Sequence, residues 1–205
     1  MFIKSIRPML IFVGLLLIVV EIASGQDRPL DPSHRTVLRL VIGDSTSQDI
    51  YSKMGPSIPI RDNFEPSATQ LCYVSDRDDT LIIFYSEFSR CSRVRLLSQK
   101  KRFQKWHFCS ASPLVSKDVA TASGVKLGIS KHRLKAIFGS PRSETDETVT
   151  YVYEWQPKMN SAEMEKTSKI SGDYENNRLG TVKVTIQAEF SATGLISFDV
   201  SQSMQ

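Results

Sequence analysis

The chain has 205 residues, of which 40% are hydrophobic and 23% are charged, and it contains 10 Gly and 9 Pro. This composition is typical of a globular protein and excludes the collagen-like, disordered and multispan membrane classes. The length fits one domain or two small ones without a structural metal or a dense disulfide framework. The formal net charge of +4 is too small to indicate nucleic-acid binding by itself.

The first 25 residues have the pattern of a cleaved export signal. Lys4 and Arg7 precede an apolar run from Met9 to Val20, and small residues follow it. The run is shorter than the ~20 residues that cross a bilayer as a helix. We therefore expect cleavage after residue 25 and a periplasmic or secreted chain without a transmembrane segment, retention as an anchor being the alternative. Residues 26–35 are predicted to form a flexible leader.

Residues 36–109 are predicted to form a first unit of one helix and three antiparallel strands. Thr46 is typical of a helix N-cap and Gly55 of a helix end, so a short helix is predicted between them. The three strands are predicted in the apolar segments 72–75, 81–89 and 94–99. Residues 101–109 are a candidate for an extra strand.

The third strand and its turn concentrate positive charge. No acid lies between Arg90 and Lys105, and the candidate binding residues are Arg90, Arg93, Arg95, Lys100, Lys101, Arg102, Lys105 and Trp106. One interpretation is an edge strand that its charge protects against aggregation. The other is contact with an acidic partner surface, lipid phosphates or an anionic polysaccharide, whose oxygens arginine binds in bidentate fashion.

Export would place the three cysteines in an oxidising compartment. A hairpin that turns near Lys100 would set Cys91 opposite Cys109 and allow a cross-strand disulfide. The same register sets Arg95 opposite Lys105, which is unfavourable, so the pairing is a hypothesis and the unpaired state stays open. Cys72 would then be a small buried residue.

The second half of the chain repeats this order of elements. Residues 110–124 are small and polar and are predicted to be a linker, and residues 125–205 are predicted to be the second unit. Its helix is predicted between Ser130 and Gly139, and residues 156–180 are predicted to form a long loop. We therefore predict an α+β fold of two tandem α-β-β-β units, with short helices packed on one face of antiparallel sheet and a shared core or a continuous sheet.

Aromatic residues alternate along the first strand of the second unit. Tyr151, Tyr153 and Trp155 share one face and Glu154 lies on the other. We expect the aromatic side chains to face the core and Glu154 to face water. The alternative is an outward aromatic surface that recognises a partner.

The segment from Gly128 to Pro141, followed by a strand with Tyr151 and Tyr153, resembles the helix motif of the small outer-membrane assembly lipoproteins of the SmpA/OmlA type. The tandem use of the unit is similar to the β-lactamase inhibitor protein family, in which two repeats pack helices on one face of a sheet. These resemblances imply an exported, non-catalytic module that presents a sheet face or loops to another protein.

We therefore expect a protein-binding or inhibitory module with a protein partner in the cell envelope or outside the cell. An anionic lipid or polysaccharide surface is a further partner, and we expect no nucleic acid, no cofactor and no metal. The alternative from another class is a hydrolase or thiol enzyme that uses Cys109 and His107, which lie two residues apart and would share a strand face. No recognised nucleophile motif surrounds either residue, so the expectation is a protein that is not an enzyme.

Overall fold

A computed structural model of the chain describes residues 29–61, 68–157 and 180–205. The helices are α1 (Ser47–Met54) and α2 (Lys131–Phe138), and short 3-10 turns span Pro32–Arg35, Lys100–Arg102 and Trp106–Phe108. The strands are β1 (Thr36–Val37), β2 (Leu40–Val41), β3 (Ile60–Arg61), β4 (Ala68–Val74), β5 (Leu81–Glu87), β6 (Arg90–Leu97), β7 (Ser110–Ala111), β8 (Ser143–Glu144), β9 (Thr148–Trp155), β10 (Val182–Ser191) and β11 (Gly194–Met204).

Nine of these strands form one sheet in the order β3-β4-β5-β6-β11-β10-β9-β8, with β7 parallel to β4 and every other pair antiparallel. The short hairpin of β1 and β2 is separate. At the centre, β6 pairs with β11, from Arg93 opposite Ser201 to Leu97 opposite Ser197. This pairing joins the strands of residues 60–97 to those of residues 143–204 in a continuous sheet.

One side of the sheet, which we call the covered face, is packed into the core. A row of neighbouring residues on five adjacent strands illustrates it, and each is at most 1% exposed: Phe84, Val94, Val200, Ile186 and Tyr151. Ile50 and Met54 of α1 and Leu134 of α2 belong to the same cluster. Burial of these apolar side chains supplies most of the favourable free energy of folding.

The predicted fold class, α+β with two α-β-β-β units, is wrong. The described chain is mostly antiparallel β-sheet, with nine strands in one sheet and two α-helices of eight residues each among the described residues. Helices of this length bury only one or two side chains in the core, so they do not form a layer of their own. The sheet is the organising element because β6 and β11 hydrogen-bond across the middle.

Both short helices lie where the sequence predicts them. The Thr46 hydroxyl accepts a hydrogen bond from the Asp49 backbone N–H at 3.2 Å, and the Ser130 hydroxyl accepts one from the Arg133 N–H at 3.2 Å. Gly55 ends α1 with a φ of 89°, which glycine adopts without steric cost. The predicted strands over 72–75, 81–89 and 94–99 overlap β4, β5 and β6.

Two tyrosines connect the sheet to the ends of the helices. The Tyr73 hydroxyl donates to the carbonyl oxygen of Gly55 at 2.9 Å, and the Tyr153 hydroxyl donates to that of Phe138 at 3.2 Å. Burial raises the pKa of each phenol to about 12, so both remain neutral donors in ordinary buffers. These bonds satisfy carbonyl groups that a helix end leaves without an intrahelical partner.

The prediction for the aromatic strand is confirmed. Tyr151 is buried, Tyr153 and Trp155 pack partly buried against the same core, and Glu154 is exposed. The alternation of polar and apolar residues therefore identified the faces of β9 correctly.

Two connecting segments are more structured than predicted. Leu30 and Arg35 are buried, so the described part of the flexible leader 26–35 packs on the body of the protein. The linker 110–124 contributes β7, and its Val115 and Val119 are buried. In both cases isolated apolar residues in a polar segment find core positions.

Two further predictions concern residues outside the described ranges. The export signal over 1–25 lies wholly outside them, and so does most of the loop predicted over 156–180. Among the residues that the structure does describe, no helix combines the length and apolar character needed to cross a membrane.

Candidate functional site

The second side of the sheet differs between its two halves. We call the open face the part formed by β6, β11, β10 and β9 on this side. Its cross-strand rows are Arg95, Asp199, Gln187 and Thr150; Arg93, Ser201, Thr185 and Val152; and Ser197, Glu189 and Thr148. Side chains alternate along each strand, so the polar residues of β9, β10 and β11 share this face while their apolar neighbours fill the core.

Asp199 is the centre of the charged groups on the open face. Its carboxylate accepts hydrogen bonds from the Arg93 Nε atom at 2.8 and 3.0 Å and pairs with the Arg93 terminal nitrogen. The Arg95 Nε atom lies 3.8 Å from the same carboxylate, an ion pair beyond hydrogen-bonding distance. The Asp199 side chain is only 9% exposed, so this carboxylate is stabilised by two guanidinium groups rather than by water.

The Arg93 side chain contacts a residue on each of the two strands beside β6, Asp199 on β11 and Tyr85 on β5. Its guanidinium carbon lies 4.9 Å from the centre of the Tyr85 ring, on the neighbouring strand β5. The hydrogen bond that Arg93 donates to Asp199 raises the pKa of Arg93, against a smaller opposing effect of burial. In contrast, burial raises the pKa of the Tyr85 phenol. The Arg93 side chain therefore has a defined position on the open face, between Asp199 and Tyr85.

Glu189 adds a second carboxylate to the charged groups of the open face. Arg95 lies 3.7 Å from one of its oxygens, and Arg102, in the 3-10 turn after β6, binds the other. We call these five residues the ion network: Arg93, Arg95, Arg102, Glu189 and Asp199. It contains three cations and two anions, held by strands that are themselves hydrogen-bonded to one another.

Four of the seven cations of the predicted basic stretch pair with acids. Lys100 pairs with Asp79 at 3.3 Å and lies 5.3 Å from the centre of the Trp106 ring. Of the candidate binding residues, Arg90, Lys101 and Lys105 form no ion pair with a described residue. The structure brings Arg93, Arg95 and Arg102 together, and leaves the other cations apart from the network.

Residues 98–109, which we call the cover segment, close the other half of this side. They form two 3-10 turns rather than the extra strand predicted over 101–109. Phe103 and Trp106 pack on an apolar cluster of Ile60, Leu81, Ile83 and Leu97. A disulfide between Cys72 and Cys109 joins the end of the cover segment to β4.

The hypothesis of a disulfide between Cys91 and Cys109 is wrong. Cys91 is a free, fully buried thiol whose pKa burial raises to about 12. It lies opposite Ser86 of β5, because β6 turns back on β5 and not on residues 101–109. The thiol enzyme that would use Cys109 and His107 also loses its nucleophile, since Cys109 carries no free thiol in this structure.

The sequence analysis missed Asp199 and Glu189 as site residues. Glu189 occupies a polar position in the alternating strand β10, so its face was readable from the sequence, whereas Asp199 lies in a run of four consecutive buried residues of β11. Their partners were not readable from the sequence, because an ion pair between Arg93 and Asp199 requires that β6 and β11 be neighbours.

Beyond the ion network the open face is polar and accessible. Gln187, Thr148 and Glu154 are exposed, and Thr150 and Thr185 are half-buried. No element within the described ranges packs on these residues as the cover segment packs on β4 and β5. A macromolecule can therefore reach this surface without displacing a described part of the chain.

The described residues contain no group of three or more His, Cys, Asp or Glu side chains that could hold a metal ion. Comparisons of the chain with protein-family models, with curated proteins and with solved structures find no match.

Proposed function

We propose that the chain is an exported, non-catalytic module that binds another protein through the open face. The observation that carries the proposal is an accessible sheet surface on which the charged groups are already fixed by one another. Binding loses less conformational entropy when the contacting side chains are held in place beforehand. A network of two carboxylates between three guanidinium groups supplies this order.

The open face is large enough to contribute most of one side of a protein interface. Four strands spaced by about 4.8 Å and eight residues long, as in β9, span roughly 19 by 26 Å, or about 500 Å². A stable interface buries ~800 Å² on each partner. The surrounding loops would supply the remainder.

The charge distribution favours a protein over an anionic polymer. Cations and anions alternate across the face, and such a pattern is matched by a surface that also carries both signs. A polymer of phosphates or sulfates would instead be bound by cations without acids beside them. Here Asp199 and Glu189 lie within the network that would have to contact the polymer.

An envelope or extracellular location rests on the export signal predicted over 1–25. The resemblance of residues 128–155 to the small outer-membrane assembly lipoproteins supports the same location. In that compartment the partner would be a protein of the envelope or one outside the cell.

The test begins with the exported chain immobilised and exposed to envelope extract of its own host. A protein retained by the wild type is purified, and its dissociation constant is measured by titration calorimetry. Thr185→Arg adds a long cation to the middle of the open face and should raise the dissociation constant at least tenfold. Ala136→Arg adds the same group to an exposed position of α2 and should leave it unchanged.

Two results would contradict the proposal. One is the absence of any protein that the wild type binds in the micromolar range or tighter. The other is equal affinity of the wild type and Thr185→Arg for the purified protein, which would place the contact elsewhere on the molecule.

A further inference from the structure

The three guanidinium groups of the ion network are not equally paired. Arg93 hydrogen-bonds both oxygens of Asp199, and Arg102 hydrogen-bonds Glu189. Arg95 comes only to 3.7 Å from Glu189 and 3.8 Å from Asp199, beyond hydrogen-bonding distance. Its Nε atom is buried and has no hydrogen-bond partner among the described residues. Arg95 is therefore the cation of the network whose donors are left over.

The charges of the network single out the same residue. Three cations and two anions leave one surplus positive charge, and Arg93 and Arg102 each bind a carboxylate of their own. An arginine carries five N–H donors in a planar fork that matches a carboxylate. The side chain of Arg95 is 29% exposed, so a group from another molecule can reach part of this fork. The group that best satisfies Arg95 is therefore a further carboxylate.

Arg95 lies where the cover segment meets the open face. Its neighbour on β5 is Ile83, which is fully buried in the cluster that the cover segment covers. Its neighbour on β11 is Asp199, on the open face. A partner on the open face would therefore shield this place from above, while the cover segment borders it on one side. An ion pair shielded from water is stronger than one on an open surface.

We infer that the partner places a side-chain carboxylate, from an aspartate or a glutamate, on Arg95. The inference rests on the proposed function and specifies the chemistry of the contact. Gln187 and Thr150 continue the row of Arg95 across the open face, and neither carries a charge. The two acids of the network repel the incoming carboxylate only weakly, because the other two arginines neutralise them.

The first test measures the affinity for the purified captured protein by titration calorimetry. Arg95→Gln removes the guanidinium and should raise the dissociation constant about tenfold or more. Arg133→Gln removes the same group from an exposed position of α2 and should change it less than about threefold. The melting temperature of Arg95→Gln should stay within about 3 °C of wild type, because Arg95 forms only long ion pairs within the fold.

The second test identifies the group that the partner contributes. Arg95→Lys places an amine at the site, and a water-soluble carbodiimide couples an amine to a carboxylate with which it forms an ion pair. We expect mass spectrometry to find residue 95 joined by an amide bond to an aspartate or glutamate of the captured protein. Arg133→Lys should give no bond between residue 133 and that protein.

The binding outcomes separate this inference from the proposed function. Wild type that binds no protein overturns both. Binding that Thr185→Arg weakens but Arg95→Gln leaves unchanged overturns the contact at Arg95 alone. An equal loss of affinity in Arg133→Gln would show an effect of net charge and not of position, and would also overturn that contact.

Three further results would overturn the contact at Arg95. A fall in the melting temperature of Arg95→Gln as large as that of Asp199→Asn would show that the fold itself uses the guanidinium. Coupling of residue 95 only to Asp199 or Glu189 of its own chain, or to the C-terminal carboxyl group of the captured protein, would exclude a partner side chain. Co-sedimentation of the wild type, and not of Arg95→Gln, with vesicles containing phosphatidylglycerol would replace the carboxylate by a lipid phosphate.

Discussion

Removal of the Cys72–Cys109 disulfide is the sharpest test of the fold. The bond closes a loop with a sequence separation of 37 residues, which includes β5, β6 and the cover segment. The chain-entropy model assigns such a loop a stabilisation of about 4 kcal/mol at 25 °C. With an m-value of about 2 kcal/mol/M, its loss lowers the urea midpoint by about 2 M.

The assay is urea unfolding followed by far-UV circular dichroism and tryptophan fluorescence. Cys72→Ala/Cys109→Ala should unfold at the lower midpoint and should not respond to dithiothreitol. The wild type should move to nearly the same midpoint when dithiothreitol is added. Trp106 lies in the cover segment, so its fluorescence reports the release of that segment from the sheet.

Cys91→Ala is the matched control. It removes the free buried thiol, which costs a small amount of packing but leaves the disulfide in place. Its midpoint should therefore still fall by about 2 M when dithiothreitol is added. If Cys91→Ala were insensitive to the reductant while Cys72→Ala retained the response, the pairing of Cys72 with Cys109 would be refuted.

Three further predictions concern charged groups. Asp199→Asn should lower the free energy of unfolding by about 1–3 kcal/mol, because two guanidinium groups lose their shared carboxylate. Asp79→Asn, which removes an exposed ion pair, should change it by less than about 0.5 kcal/mol. Equal effects of the two variants in urea titrations would contradict the ion network. Hydrogen bonds from Thr46 lower the pKa of Asp49 from its usual 3.8, so its contribution is complete above that value and is lost as the pH falls through the lowered pKa. The melting temperatures of wild type and Asp49→Asn should therefore converge as the pH falls below about 4, and a constant difference would contradict the capping interaction. Three cations of the basic stretch form no ion pair with a described residue, so the logarithm of heparin affinity should fall with the logarithm of salt with a slope of about three or less. A much steeper slope that Lys101→Glu/Lys105→Glu abolishes would favour the anionic surface instead.

Local features of the fold were predictable because they depend on neighbouring residues. Thr46, Gly55, Ser130 and Gly139 predicted both helices, since caps and stops act within one turn. The alternation in β9 predicted which of its side chains face the core. These patterns did not determine how many strands join one sheet, and the predicted class with two α-β-β-β units was wrong for that reason.

The basic stretch shows most clearly what the sequence pattern could not predict. Its residues were identified as a positively charged strand, and three of its arginines do belong to the candidate site. The acids that compensate them come from β10 and β11, at the other end of the chain. A pattern within one strand indicates the face of a side chain but not the strand that lies beside it.

The sequence by itself determined the short helices, most of the longer strands of the sheet and the faces of β9. Only the tertiary structure decided that β6 lies beside β11, that Asp199 binds Arg93, and that Cys109 pairs with Cys72 and not with Cys91. The reason is physical: helix caps and strand alternation arise from residues a few positions apart, whereas these three contacts join segments that meet only when the whole sheet has formed.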